Sequence, residues 1–380
     1  MDTRAHERPR TTHHGMVTLA RALFLLLMPL SLLGGVAGGL LRAWMTPSSD
    51  ALSALLVSGA VFHAALMICG FLGTVIGIER AVAVKRPLAF LAPLASGLGG
   101  ACLLLSAPIA GAWMMVAASA AFVGVNVVVV RRQTASHTWL LLAGAGAWLA
   151  GNLFFSAGDA SAALPWWFAF LVTTIAAERL EMTRLTRRGA EVEPLLWSVV
   201  SLMLGGAAMF PVSASLGGVM FGTSLVFLAA WLLAYDVARR TLHAGGLSRY
   251  MAVCLLTGYA WLGVAGVAWV AMAAHMPTRD IALHALGLGF VVSMMMAHAP
   301  VILPAVARIK VRFGFYFYVP LAALHLSLVV RLGFGHSDFL VRGIGAFFNA
   351  VSLGLFAATI AGAAIAWRVT TGARVAPKAR

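Results

Sequence analysis

Twelve apolar runs, each close to the twenty or so residues a helix needs to cross a bilayer, leave this chain few folds to choose from. They centre on residues 18–41, 52–78, 88–107, 109–130, 138–157, 163–183, 195–212, 216–235, 250–273, 281–307, 315–333 and 340–367. Inside hydrocarbon every backbone N–H and C=O needs an internal partner, so runs this long read as helices. Of the 380 residues 61% are hydrophobic and only 10% charged, which is too little polar surface for a soluble protein of this size. The expected fold is all-α, a polytopic bundle of about twelve transmembrane helices over residues 17–368. A disordered cytoplasmic tail is expected at 1–16 and a second cytoplasmic tail at 369–380.

The basic residues suggest an orientation. With both termini placed in the cytoplasm, 23 of the 27 Lys and Arg fall on the inner side, leaving Arg42, Arg279, Arg331 and Arg342 outside. That is the positive-inside pattern, and one span more or fewer would scramble it. The net charge of +15 is therefore read as topology and affinity for anionic lipid, not as a nucleic-acid surface. Loops such as SAPIAG (106–111) and PVSASLGG (211–218) leave no room for a folded outer domain. No A-x-A-like cleavage site comes after the polar opening, so the first run is expected to be retained. Cys69, Cys102 and Cys254 lie in apolar runs without a CxxC, so neither a disulfide framework nor a zinc site is expected. No Gly-rich phosphate loop occurs between a strand and a helix, and nucleotide binding has no support. The glycines of the spans, Gly70, Gly73 and Gly77 among them, are read as close-packing positions.

The carboxylates inform by where they are missing. All twelve fall in tails, loops or the ends of runs, and no run has an Asp, Glu or Lys at its middle. Proton-driven transport usually needs carboxylates within the membrane, so it is the weaker hypothesis. Pro300 and Pro304 are expected to interrupt the tenth run, with no matching pair in the other half of the chain. GIERAVAVKR (77–86) and AAERLEMTRL (176–185) both end a run on Glu-Arg, an echo that either an old duplication or ordinary interfacial ion pairs would explain.

What the hydrocarbon does hold is histidine. His63 lies in the second run, His284 and His298 in the tenth and His325 in the eleventh. At about 100° per residue, the fourteen residues between His284 and His298 bring them within roughly 40° of one helix face. At about 1.5 Å rise per residue they stand about 21 Å apart along the axis. His284 is thus expected near the outer face, His298 toward the inner face, and His63 and His325 near mid-membrane. Imidazole is a common ligand of metals and of haem iron, and a bundle holds a cofactor between facing helices. The bland alternative is that each histidine is an interhelical hydrogen-bonding residue. Met67 lies one turn from His63, and Met294 and Met295 one turn from His298. Thioether beside imidazole suits copper or haem iron, so His63, Met67, Met295 and His298 are the candidate metal ligands. Arg331, near the outer end of its run, is expected to pair with Asp338 or with a haem propionate.

The segments 62–87 (FHAALMICGFLGTVIGIERAVAVKRP), 166–185 (WWFAFLVTTIAAERLEMTRL) and 284–306 (HALGLGFVVSMMMAHAPVILPAV) resemble the NnrS family. Its members are bacterial inner-membrane proteins of twelve spans, associated with haem and copper and with the response to nitric oxide. They typically carry a His-x-His-Glu-Met cluster before a Gly-Phe in the second span. Here His63, Met67 and Gly70-Phe71 match, while Ala65 and Leu66 replace the second histidine and the glutamate. The resemblance thus implies haem b before copper. Subunit I of the haem-copper oxidases also has twelve spans, but it needs about six bundle histidines and a His-x-x-x-Tyr. Here the residues four beyond the four histidines are Met67, Leu288, Ile302 and Val329.

The expected function is that of a haem-binding, and as a further candidate copper-binding, protein of the bacterial inner membrane that acts in the response to nitric oxide or related redox or metal stress. His63, His284, His298, His325 and Arg331 form the expected cofactor set. A respiratory redox partner is expected, and no nucleic acid. The competing expectations are a channel or transporter for a small solute with a histidine-lined path, and an assembly partner of a respiratory complex.

Overall fold

A computed structural model of the chain describes residues 11–44, 51–183, 189–306 and 309–375. Every regular element among them is helical, and twelve helices are long and apolar enough to cross a membrane. In chain order these spans are Leu26–Ala43, His63–Val84, Pro87–Leu104, Pro108–Arg132, Ser136–Ser156 and Ala160–Met182 in the first half. The second half has Val192–Met209, Ala214–Tyr235, Gly246–Ala273, Arg279–Pro304, Phe315–His336 and Phe339–Thr370. The number agrees with the apolar runs; the boundaries differ in places. The first helix already begins at Thr11, inside the expected tail, and the last continues to Val375. The remainder of both tails, Arg184, Arg187, Arg188 and Arg308 lie outside the described residues.

The second span differs most. The helix Ala51–Val61 stops at Phe62 (φ −98°, ψ 17°), and His63 restarts it, so His63 opens the span instead of standing at its middle. The span then runs past 78 to Val84, where Lys85 closes it in a left-handed conformation (φ 57°) and Arg132 Nη1 donates to the Val84 carbonyl at 2.9 Å. In the tenth span the two prolines do not interrupt the helix, which is continuous over Ser293–Val306.

Three stretches have the wider π-helical winding, an uncommon form often found at functional sites. They are Leu66–Gly73 shortly after His63, Ala285–Val292 directly after His284, and Val329–Gly333 around Arg331. Carbonyls loosened by the wider turn take side-chain hydroxyls as partners. Thr74 donates to Gly70 O at 2.7 Å, Ser96 to Cys69 O at 2.6 Å, and Ser293 to Gly289 O at 2.6 Å. The second and tenth spans thus leave their π stretches in the same way, on a hydroxyl bonded to a glycine four residues back.

The second, sixth and tenth spans pack against one another at the centre, and the first packs against the twelfth. The sixth is the most enclosed, with 78% of its most apolar 18-residue stretch buried against 17% in that of the twelfth, so lipid or a partner faces the twelfth. Trp148 stacks on Phe170 at 4.9 Å, and Gly73 lies against it so closely that a Cβ there would stand 2.6 Å from the indole. Gly38 and Gly59 bring the first span into backbone contact with the helix Ala51–Val61. Asn152 ties four spans together. Its amide donates to Met115 O (2.7 Å) and Ser119 Oγ (3.0 Å), and its carbonyl accepts from Trp167 Nε1 (2.9 Å) and Cys69 Sγ (3.3 Å). That fills its hydrogen-bonding capacity, so Asn152 is a structural knot.

Candidate functional site

His63 comes directly after the break at Phe62 and faces the glycines of the first span. Its Nδ1–H donates to Gly35 O at 2.7 Å, which leaves the Nε2 lone pair as the ligating position. The neighbouring ring is His284, with centroids 6.3 Å apart and planes inclined by 34°. The two histidines therefore share one level, near the end of the bundle that carries Arg331. His63, expected at the middle of its run, instead opens the candidate span and stands level with His284.

Asp280 and Arg331 complete the cluster. Arg331 holds Asp280 through two hydrogen bonds, Nε to Oδ2 at 3.0 Å and Nη2 to Oδ1 at 2.8 Å. The His284 Nδ1–H faces Asp280 Oδ1 at 2.9 Å and the Asp280 carbonyl at 3.1 Å, while Arg331 Nη2 lies 3.1 Å from His284 Nε2. Arg331 Nη1 also reaches Asn349 Oδ1 at 3.5 Å, and Asn349 Nδ2 donates to Ser327 Oγ at 2.7 Å. Asp338, the expected partner of Arg331, instead accepts the N–H groups of Leu340 (2.8 Å) and Val341 (3.1 Å). An acceptor at the start of a helix satisfies otherwise orphaned donors, and that role holds Asp338 at the twelfth span. Neither Asp280 nor Asn349 belongs to the cofactor set expected from the sequence. Nothing local marks them, because their importance comes from the packing of three spans.

His298 and His325 stand elsewhere. About 20 Å along the tenth span from His284, His298 donates from Nδ1 to Met294 O at 2.6 Å and accepts from Arg179 Nη2 at 3.0 Å. Arg179 lies 3.9 Å from Asp236, and both are buried. Burial pushes the Asp236 carboxyl above its ordinary range, against the pull of Arg179 and of the Ala238 N–H. At that same end Arg80 meets Glu178 at 3.6 Å, so the two Glu-Arg motifs lie in contact. His325 accepts at Nδ1 from Trp261 Nε1 at 2.9 Å. Its Nε2 must then carry the proton, and it is buried without a partner among the described residues.

The four histidines thus occupy three places. Only His63 and His284 come together, with Arg331. Met67 lies against Gly35 on the His63 side, and Met295 is partly buried against the core beside His298, so the four candidate metal ligands divide between the two ends. Among the described residues no three His, Cys, Asp or Glu side chains converge as a metal's ligand set. His137 is buried in the first turn of the fifth span, 3.8 Å from Glu181.

Two imidazoles are too few donors for a bare ion among the described residues, and they are the donor type that haem iron takes. Two imidazoles on one metal, each nitrogen about 2 Å from it, have ring centres about 6 Å apart. His63 offers an uncapped lone pair, and the one on His284 is covered by a single Arg331 N–H. Residues 21–365 match the family model described as "Domain of unknown function (DUF8744)", and the chain belongs to that family. No curated protein matches the sequence.

Proposed function

We propose that this protein binds haem b within the bacterial inner membrane, both termini in the cytoplasm, and acts in the response to nitric oxide or related redox stress. The observation that carries the reading is the His63–His284 pair, its rings 6.3 Å apart and both Nδ1 positions committed to fixed oxygen acceptors. His63 and His284 would hold the iron, and Arg331 would turn its N–H from His284 to a propionate. Haem supplies one-electron chemistry and an iron that takes small diatomic ligands. The chain's own part is to fix each imidazole tautomer, to keep a cation beside the pair, and to exclude water with buried spans. The resemblance of the segments at 62–87, 166–185 and 284–306 to the NnrS family supports the same reading. Copper, at His63 with Met67, is the second candidate and has only two ligands to offer.

The purified protein should show a Soret band with sharp reduced bands, shifted by nitric oxide. His63→Ala and His284→Ala should each lose most of the haem, while His298→Ala and His325→Ala retain it. A colourless wild-type protein would sink the reading. It would favour a small-solute transporter, which the polar clusters at the two ends of the tenth span also suit.

A further inference from the structure

Away from the histidine pair, a cavity of about 500 Å³ opens between the loop joining the tenth and eleventh spans and one face of the twelfth. Its floor on the twelfth span is Ala358, Gly362 and Ala366, one helical turn apart, and its rim carries Arg312 and Tyr316. From residue 312 on, the loop is held in place. The Arg312 N–H donates to Ala363 O at 3.1 Å, and the Tyr316 hydroxyl donates to the Arg312 carbonyl. Lys310 stands over the Trp367 ring, its Nζ 5.6 Å from the centroid. Around the opening the surface is apolar, with Phe315 82% and Ile365 62% exposed. From residue 309 to 375 the sole acidic residue is Asp338, which caps the opposite end of the twelfth span.

We propose that this groove holds one anionic phospholipid, its phosphate on Arg312 and Lys310 and an acyl chain along Ala358, Gly362 and Ala366. Arg reads phosphate through its planar fork, and a basic rim without carboxylates selects net negative charge. A Trp at the end of a span sits at headgroup depth, which sets the level of the site. The small residues leave the room that an acyl chain fills, and the volume lies within the range of about 300–1,000 Å³ usual for small-molecule sites. A second copy of the chain fits less well. A two-fold interface sets the same patch against itself, which would bring Arg312 and Lys310 against their own copies.

The test uses the full-length protein, stripped of lipid in mild detergent and titrated with phosphatidylglycerol or phosphatidylcholine, the bound lipids counted by native mass spectrometry. One phosphatidylglycerol should be retained, with a preference of about tenfold over phosphatidylcholine. The double variant Lys310→Gln, Arg312→Gln should lose that preference while its phosphatidylcholine binding stays unchanged. Gly362→Leu fills the groove, and its new Cβ meets no atom within 4 Å, so the fold should persist while the tight site disappears. Equal retention of the two lipids by the wild type overturns the proposal, as does unchanged phosphatidylglycerol binding in both variants. A dimer in detergent that Gly362→Leu converts to a monomer would assign the groove to a second copy and overturn it as well.

Discussion

At the scale of single residues, His63 depends on glycine as much as on its own hydrogen bond. Gly39 lies so close that a Cβ there would stand 2.8 Å from the imidazole Cε1. Gly39→Val should therefore push the ring off Gly35, cost about 1–3 kcal/mol by overpacking, and lower haem content. Thermal unfolding and a pyridine haemochrome assay read both effects, and full haem in this variant would mean that the ring's position does not matter. Arg331 and Asp280 should behave as a coupled unit. Arg331→Ala leaves the half-buried Asp280 carboxylate with only the His284 N–H and should cost about 1–3 kcal/mol. Adding Asp280→Asn should recover part of that loss, and strict additivity in the double-mutant cycle would show that the two do not interact. Histidines in apolar runs and an arginine near a run's end are visible in the sequence. The partners that sort them are not, because Asp280, Trp261 and Arg179 reach their histidines through packing, not through local spacing.

At the scale of elements, the π stretches place the histidine pair and Arg331. Each extra residue taken into a wider turn rotates the helix on one side of it against the helix on the other. The winding of 285–292 therefore sets where His284 points relative to the rest of its span. Gly287 has only Phe168 near it, at 3.8 Å from a would-be Cβ, and it can be removed without opening a large void. Its deletion should restore ordinary winding, swing His284 by about 100°, and abolish haem binding while the protein still inserts. Retained haem would mean that the winding is incidental. Twelve apolar lengths are legible because span length is a property of composition. The π winding is not, since a π turn and an α turn use the same residues. The visible irregularities, Pro300 and Pro304, leave the helix continuous. The Asn152 knot is also hidden, because its four partners come from three other spans. Asn152→Leu should strand the Trp167 N–H, at a cost of about 1–3 kcal/mol, while Ser119 keeps its bond to Met115 O and Cys69 keeps the Trp148 N–H. Chemical denaturation would read that loss, and a variant as stable as the wild type would deny the knot its structural role.

For the whole molecule, the distribution of charge predicts orientation. With 23 of 27 basic residues on one side, a fluorescent reporter after Arg380 should shine and an alkaline phosphatase there should stay silent. The opposite outcome would invert the bundle. The central packing of the second, sixth and tenth spans also has a consequence for how the protein is made. His63 and His284 lie roughly 220 residues apart, so at about 5–20 residues per second the first waits some 10 to 45 s for the second. Until the tenth span leaves the ribosome, His63 stands against the first span's glycines without His284 beside it. On the proposed reading, chains halted after the ninth span should insert yet take up no haem, which would place cofactor loading after translation of the tenth span; the histidine pair is in any case one of the last features of the protein to form.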